Sequence, residues 1–578
     1  MRRLLHCVVS IENYTIHCDD ADEKKVGGYA IPETTIYLQF SHHDVQIGDI
    51  LNLFANEMDG CQVMDTCSSI IYLISRLYFF VVTVVFYVVN IFKTKQVVPP
   101  ISDDLLLISA TEAVKRIVKR KITSEALIRA YIHRIEQVND VINTVVVRLF
   151  DEATKKAAEI DREIAEMGNE RLEQRVRSKP LLGVPFTVKD ALEVDGQIIT
   201  CGIYNHRDNK CTQSAEVIKR MEAAGAILIA ITNVPEACSW VESTNGIYGL
   251  SKNPYDTRLS VGGSSGGEGA LISAAGSLRT RKPQEMCQKR NLLGTRIGIG
   301  SDIGGSIRIP SFMNGIFGMK PTPGVIPLDG HVPMPKEFQI QMLRIGPMCR
   351  YVEDVPLLME VMGGELAVDL HLKGMVDFKK AVSYFEQKFD VEGIRLDLPL
   401  ASNAIEMLFS CIQAKNTPTI SESFKSLKGD RGSLNWMTEL PKLLAGKSVH
   451  TAAALFLSFF ESMDRTSEKE KAKFRRLRDR LARQVTETLG DDGILLFPSW
   501  PTTAPYHHQT FFTPFNTAYT GLFNALTLPV ITCPMGLDRN GLPLGLQIVG
   551  ARNSDRLLIA AAQQLSQAFG GWTPAWSQ

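Results

Sequence analysis

Residues 225–231 read Gly225-Ala-Ile-Leu-Ile-Ala-Ile231, and this stretch decides the fold. The glycine ends a helix, and the unbroken apolar run after it lacks the polar alternation of a half-exposed strand. Such a run fits a strand buried on both faces. Working outward, Asn143-Thr-Val-Val-Val-Arg148, Gly183-Val-Pro-Phe-Thr-Val188 and Gly493-Ile-Leu-Leu-Phe-Pro498 read as further strands. Between them lie helical patterns. Ser109-Ala110-Thr111-Glu112 is a capping box, and Leu127, Tyr131, Ile135 and Val138 recur at helical spacing. Strands alternating with helices predict an α/β fold: a mixed, mostly parallel central sheet covered by helices on both faces. No internal repeat is visible.

Composition excludes several classes. The 578 residues are 45% hydrophobic and 22% charged, which rules out a disordered or fibrous chain. Lys+Arg and Asp+Glu are both 63, so there is no basic excess of the kind a general nucleic-acid binder carries. The 11 cysteines contain no CxxC pair and no metal-ligand spacing. They read as free thiols in a reducing setting.

The first 69 residues differ from the rest and form an N-terminal extension to which no role attaches. Four of the 11 histidines lie there (His6, His17, His42 and His43), unevenly spaced and without clustered carboxylates, so they make no metal site. Asn13-Tyr14-Thr15 matches a glycosylation acceptor by chance. Residues 70–92, IIYLISRLYFFVVTVVFYVVNIF, then predict a transmembrane helix. Its uncharged part, 77–92, falls slightly short of the roughly 20 residues a span needs, and snorkelling of Arg76 would extend it to Ile70. The valines would also suit a buried strand pair. Aromatic residues at both ends, with Lys93 and Lys95 beyond, favour the bilayer. The two lysines point to a cytosolic catalytic side. Val97-Val-Pro-Pro100 reads as a stiff linker.

Two glycine-rich runs carry the chemistry: Gly262-Gly-Ser264-Ser265-Gly-Gly-Glu268-Gly269 and Gly298-Ile-Gly-Ser301-Asp302-Ile303-Gly304-Gly305-Ser306-Ile-Arg308. Neither has the ending of a P-loop nor a clean GxGxxG. Serines among small residues suit nucleophilic catalysis, because substrate fits and successive amides can hold an oxyanion. No GxSxG elbow is present, and His507 and His508 sit in loop-like text. Lys189 closes an apolar strand and would emerge into a buried site, where desolvation favours the neutral amine as a base. A salt bridge to Asp190 is the alternative for it. Asp302 and Arg308 read as a buried pair that fixes the loop, and Ser265 as structural.

These motifs, with Gly318-Met-Lys320-Pro-Thr322, Gly346-Pro-Met348 and Gly541-Leu-Pro-Leu-Gly-Leu-Gln547-Ile-Val-Gly550, resemble the amidase signature family over about residues 102–570. The membrane segment, the Pro-Pro linker and Gly267-Glu268 make the chain most similar to the fatty-acid amide hydrolase type 2 branch. The resemblance implies Ser306 as nucleophile, Ser264 as bridging serine on a cis peptide, and Lys189 as terminal base. It also implies that the amides of Ile303, Gly304, Gly305 and Ser306 hold the oxyanion. No cofactor and no metal enter. The implied activity is hydrolysis of a small-molecule lipid amide by a single-pass membrane protein at an endomembrane such as the endoplasmic reticulum or lipid droplet. A homodimer is the assembly left open. Two alternatives stand beside it: an anchored protein of the same fold with impaired catalysis, and an amidase for small non-lipid amides.

Two places depart from the family pattern. Ser264 and Ser306 are 42 residues apart, and removing the 18 residues 278–295 (LRTRKPQEMCQKRNLLGT) would restore ordinary family text. This basic piece is expected to be an extruded insertion. Near residues 378–382 a strand and a Pro-containing loop are missing.

Overall fold

The structure, a computed structural model, describes residues 36–38, 61–101, 103–274, 297–368, 396–413, 417–491 and 493–576. The expected insertion at 278–295 and the gap at 378–382 lie outside the described residues, as do residues 1–60 apart from 36–38.

A ten-stranded sheet organises the described residues. Its strands are β1 (Ile36–Leu38), β2 (Val145–Arg148), β3 (Pro185–Lys189), β4 (Ile227–Thr232), β5 (Ile297–Asp302), β6 (Phe317–Lys320), β7 (Arg344–Cys349), β8 (Ile494–Pro498), β9 (Val530–Leu537) and β10 (Pro543–Gly550). Their spatial order is β1-β8-β10-β9-β6-β7-β5-β3-β4-β2. The strands read from sequence are present, with ends shifted by one or two residues. The expected mixed sheet is found, but its parallel part is narrow: β3 runs parallel to β4 and β5, and β1 to β8, while the other pairings are antiparallel. For one of these pairs the reason is connection length. β9 and β10 are joined through residues 538–542, and so short a loop permits only an antiparallel pair.

Every residue of β3, β4 and β5 is buried. Side chains alternate between faces, so full burial means that both faces of this central strip are covered. α3 (Ser124–Ile142) supplies part of the cover through Leu127, Tyr131, Ile135 and Val138, all buried. Its predecessor α2 (Ala110–Val118) starts where expected, with the Ser109 hydroxyl accepting from Glu112 N–H. α4 (Glu216–Ala223) precedes β4.

The predicted membrane segment is a single helix, α1 (Cys61–Ile91), which begins earlier than expected and is not a strand pair. Its window Ile74–Ile91 has mean hydropathy 1.9 and is only 17% buried. By length and composition it can cross a membrane. The run after it is not a free linker. Val98 is buried and donates to Pro254 O at 3.1 Å, Thr257 N–H donates to Gln96 O at 3.0 Å, and Arg134 donates to Pro99 O at 2.7 Å.

Candidate active site

Parallel strands place their loops at one edge, and ligands in such sheets lie beyond the carboxyl ends. β3 ends at Lys189 and its parallel neighbour β5 ends at Ser301-Asp302, so the two termini deliver their residues side by side. Ser306 follows in the turn between β5 and α6 (Arg308–Met313). Ser264 lies just before α5 (Gly266–Ser273), on a cis peptide with Gly263, as expected.

Glu268 fixes α5 against the sheet. Its carboxylate accepts from Thr187 on β3 at 2.7 Å and from Thr232 on β4 at 2.8 Å. A Cβ at residue 298 would meet that carboxylate at 1.9 Å, so only glycine lets β5 pass. The Gly267-Glu268 pair is thus a structural device that seats the loop carrying Ser264. Ser265 N–H donates to Ser306 O at 3.0 Å and joins the two serine loops.

Lys189 is 1% exposed. Its Nζ lies 2.7 Å from Ser264 Oγ, 3.0 Å from Ser301 Oγ and 3.4 Å from Ser301 O. Burial pushes its pKa down, against the opposing pull of Cys238, Cys201, Asp302 and Asp190. The alternative salt bridge is not formed. Asp190 turns to Thr200, accepting from its amide at 2.8 Å and its hydroxyl at 2.5 Å, and burial raises it to about 7.

Asp302 and Arg308 form the expected ion pair at 3.0 Å, both side chains fully buried. Burial alone would raise the Asp302 pKa, but the Arg308 guanidinium overcomes this and holds it well below the usual carboxylate range. Asp302 also accepts from Ile307 N–H at 3.1 Å and Asn524 at 2.9 Å, while Arg308 donates to Thr520 O and Gln547, each at 2.9 Å. The loop that carries Ser306 is therefore wound around a carboxylate.

This winding engages one of the amides expected at the oxyanion. Gly305 N–H donates to Asp302 Oδ1 at 2.8 Å, because Gly305 adopts a positive φ of 123° that turns its amide toward the carboxylate. Ile303, Gly304 and Ser306 donate their amides to no protein acceptor among the described residues. Ser306 is half-buried and reachable. No hydrogen bond joins its hydroxyl to that of Ser264 among the described residues. Catalytic hydrogen bonds are often long until substrate binds.

His507 and His508 are not bases for this site: the buried Glu242 carboxylate takes the His507 ring and, at 3.0 Å, the His508 amide. Two residues at the site had no reading of their own in the sequence. Ser301 touches Lys189 directly, and His331 Nε2 lies 2.9 Å from Ser301 Oγ. Ser301 stood inside a quoted motif, whereas nothing in the local text of His331 signals the site.

A family model described as Amidase matches residues 126–280, 292–391 and 377–559. Fatty-acid amide hydrolase 2 of Homo sapiens is 39% identical over 504 residues, covering 82% of this chain and 91% of that protein. Acylamidase of Rhodococcus erythropolis is 28% identical over 487 residues, covering 79% of this chain and 94% of that protein. Among solved structures, a fatty acid amide hydrolase superposes with a TM-score of 0.59 at 22% identity, covering 82% of this chain and 86% of its own. A peptide amidase from Stenotrophomonas maltophilia does so with a TM-score of 0.57 at 20% identity, covering 81% and 98%. These two structures share the fold. The chain belongs to the amidase family and is a hydrolase of amide C–N bonds.

Proposed function

We propose that this amidase is membrane-anchored and cleaves fatty-acid amides through an acyl-enzyme, with Lys189, Ser264 and Ser306 as a proton relay. The observation that carries the relay is the 2.7 Å contact between buried Lys189 Nζ and Ser264 Oγ. A desolvated, neutral amine takes the Ser264 proton, Ser264 takes that of Ser306, and Ser306 attacks the amide carbonyl. The tetrahedral oxyanion falls to the amides of Ile303, Gly304 and Ser306. The proton then returns along the same path to the leaving amine, which departs neutral, and water repeats the sequence on the ester.

The lipid-like substrate rests on the relative at 39% identity, named for fatty-acid amides, together with the exposed apolar helix α1. A single-pass anchor would hold the site against the phase that stores such substrates. The test is a hydrolysis panel of primary amides of graded acyl length, run beside fluorophosphonate labelling. Turnover that rises with chain length, with label on Ser306, is the expected result. Labelling with a preference for short amides would favour a small-amide enzyme. Absence of labelling in folded protein would favour the impaired alternative.

A further inference from the structure

We propose that His331 is a positioning residue of the amidase site: acting through the Ser301 hydroxyl, it keeps the lone pair of the Lys189 amine aimed at Ser264. The proposal rests on the relay reading above. It adds a residue that lies outside the three-residue relay and reaches the site only by tertiary contact.

The hydrogen positions along the chain of contacts are fixed by elimination. His331 Nδ1 lies 2.8 Å from Pro333 O. A carbonyl only accepts, so Nδ1 carries the ring's proton. The neutral ring then has a lone pair on Nε2, which faces Ser301 Oγ at 2.9 Å. Ser301 has one hydroxyl hydrogen and must spend it there. Its oxygen is left as an acceptor toward Lys189 Nζ at 3.0 Å. A neutral amine has two hydrogens and one lone pair. The hydrogens go to Ser301 Oγ and Ser301 O, and the lone pair is left for the hydroxyl of Ser264 at 2.7 Å. Without His331, the Ser301 hydroxyl can rotate and donate to Lys189, occupying the lone pair that the relay needs.

The backbone holds the imidazole in register with the lysine. Glu193 N–H donates to Gly330 O and Val332 N–H to Ala191 O, each at 2.9 Å, and Leu192 and His331 form an isolated bridge. The segment that follows Lys189 thus carries His331 with it. His331 is 6% exposed, and burial lowers it to about 4. It stays neutral above about pH 5. The charged and titratable groups that face Lys189 are Asp190, Asp302 and the thiols of Cys201 and Cys238, all of which favour its ammonium form. His331 faces Lys189.

The test uses the full chain in detergent micelles with His331→Leu, His331→Gln, Ser301→Ala and Lys189→Ala, counting active sites by fluorophosphonate titration. His331→Leu is expected to lower kcat by about 10- to 100-fold with KM held within about twofold, less than the ~10² to 10⁴ expected for loss of the base itself. Its acid limb of kcat against pH should move to lower pH, because a hydroxyl that donates to Lys189 favours the neutral amine. Gln places an amide oxygen near the Nε2 position, so His331→Gln should recover most of kcat and the original limb. A merely structural role would lower the titrated fraction or the plateau and leave the limb in place. The proposal is overturned if His331→Leu keeps wild-type kcat, if its limb does not move, or if Gln behaves as Leu does. Should His331→Leu fail to fold, Ser301→Ala must show the same downward limb shift, and an unmoved limb there also overturns it. Near wild-type turnover in Lys189→Ala would instead sink the relay reading.

Discussion

β4 and the 74–91 part of α1 are both strongly apolar, yet all six residues of β4 are buried whereas only 17% of the helical window is. Hydrophobicity does not separate them; backbone hydrogen bonding does. β4 is bonded laterally to β2 and β3, so it exists only inside the sheet and inherits that sheet's cover. α1 satisfies its interior backbone groups within the helix and needs no neighbouring strand to pair them. Its exposed Leu77, Phe80, Val85 and Val88 are then free to meet a second apolar phase. The buried strip carries Lys189 and Ser301 at its edge, and under the proposed function the exposed helix would set where that edge works.

The largest effect should come from the buried side of this comparison. Ser306→Ala is expected to remove fluorophosphonate labelling and lower amide turnover by at least about 10³-fold while the melting temperature holds. Under the proposed relay, Lys189→Ala and Ser264→Ala should each cost orders of magnitude and the double variant little more, because members of one relay do not contribute additively. Additive losses, measured by kcat, would mean that the two side chains act separately.

A matched pair of polar substitutions tests the contrast itself. Ile229 is 1% exposed and Val85 is 51% exposed. Ile229→Asn should destabilise the body by about 3 kcal/mol or more, since it opens a cavity and buries an amide that lacks partners. Val85→Asn should leave the melting temperature unchanged and weaken recovery in the membrane fraction. Equal destabilisation by both, in a thermal melt, would show that α1 is a core helix of the body.

Removal of the anchor sharpens the comparison further. A chain beginning at Lys93 should lose most membrane association and keep its labelling by fluorophosphonate. The cut must spare Gln96 and Val98, whose backbone groups bond Thr257 and Pro254. Beginning beyond Val98 should lower the melting temperature as well. If flotation on liposomes is unchanged after the cut at Lys93, α1 is not the membrane anchor.

The difference between the two regions also shows what was legible in sequence. α1, β3 and β4 announce themselves, because continuous apolar text and glycine punctuation are local signals. Lys189, Ser264 and Ser306 were named from the family's motifs, and the Asp302–Arg308 pair, which the structure forms, from opposite charges in one loop. The antiparallel flank of the sheet was not seen, since strand direction depends on which segments become neighbours. The turn of the Gly305 amide toward Asp302 was not legible, because its direction depends on a backbone torsion that the letter G leaves open. His331 was invisible for the same reason on a larger scale. Its contact with Ser301 spans 30 residues and is made by a bridge to the segment after Lys189.

The smallest expected effect lies where the two regions touch. Tyr78 donates to Phe512 O at 3.3 Å, and the Phe86 and Phe512 rings meet edge to face with centroids 5.5 Å apart. Arg258 donates to Asn90 O at 3.3 Å near the end of the helix. Phe512 is 46% exposed, so its ring covers α1 only in part. An aromatic pair of this geometry contributes about 0.5–1.5 kcal/mol beyond area burial, and half-exposure places Phe512→Ala toward the lower end. The variant should retain membrane association, since the helix's apolar surface is untouched, and should retain Ser306 labelling, since the Phe512 ring meets α1. What should change is the freedom of the body relative to its anchor. Proteolysis in the 92–96 stretch of the membrane-bound protein is expected to quicken slightly, read as the rate of release of the soluble body. A large loss of turnover on membrane-delivered fatty amides, with turnover on a soluble amide unchanged, would show instead that this small contact aims the substrate entrance at the bilayer, and that the two regions are coupled more tightly than their packing implies.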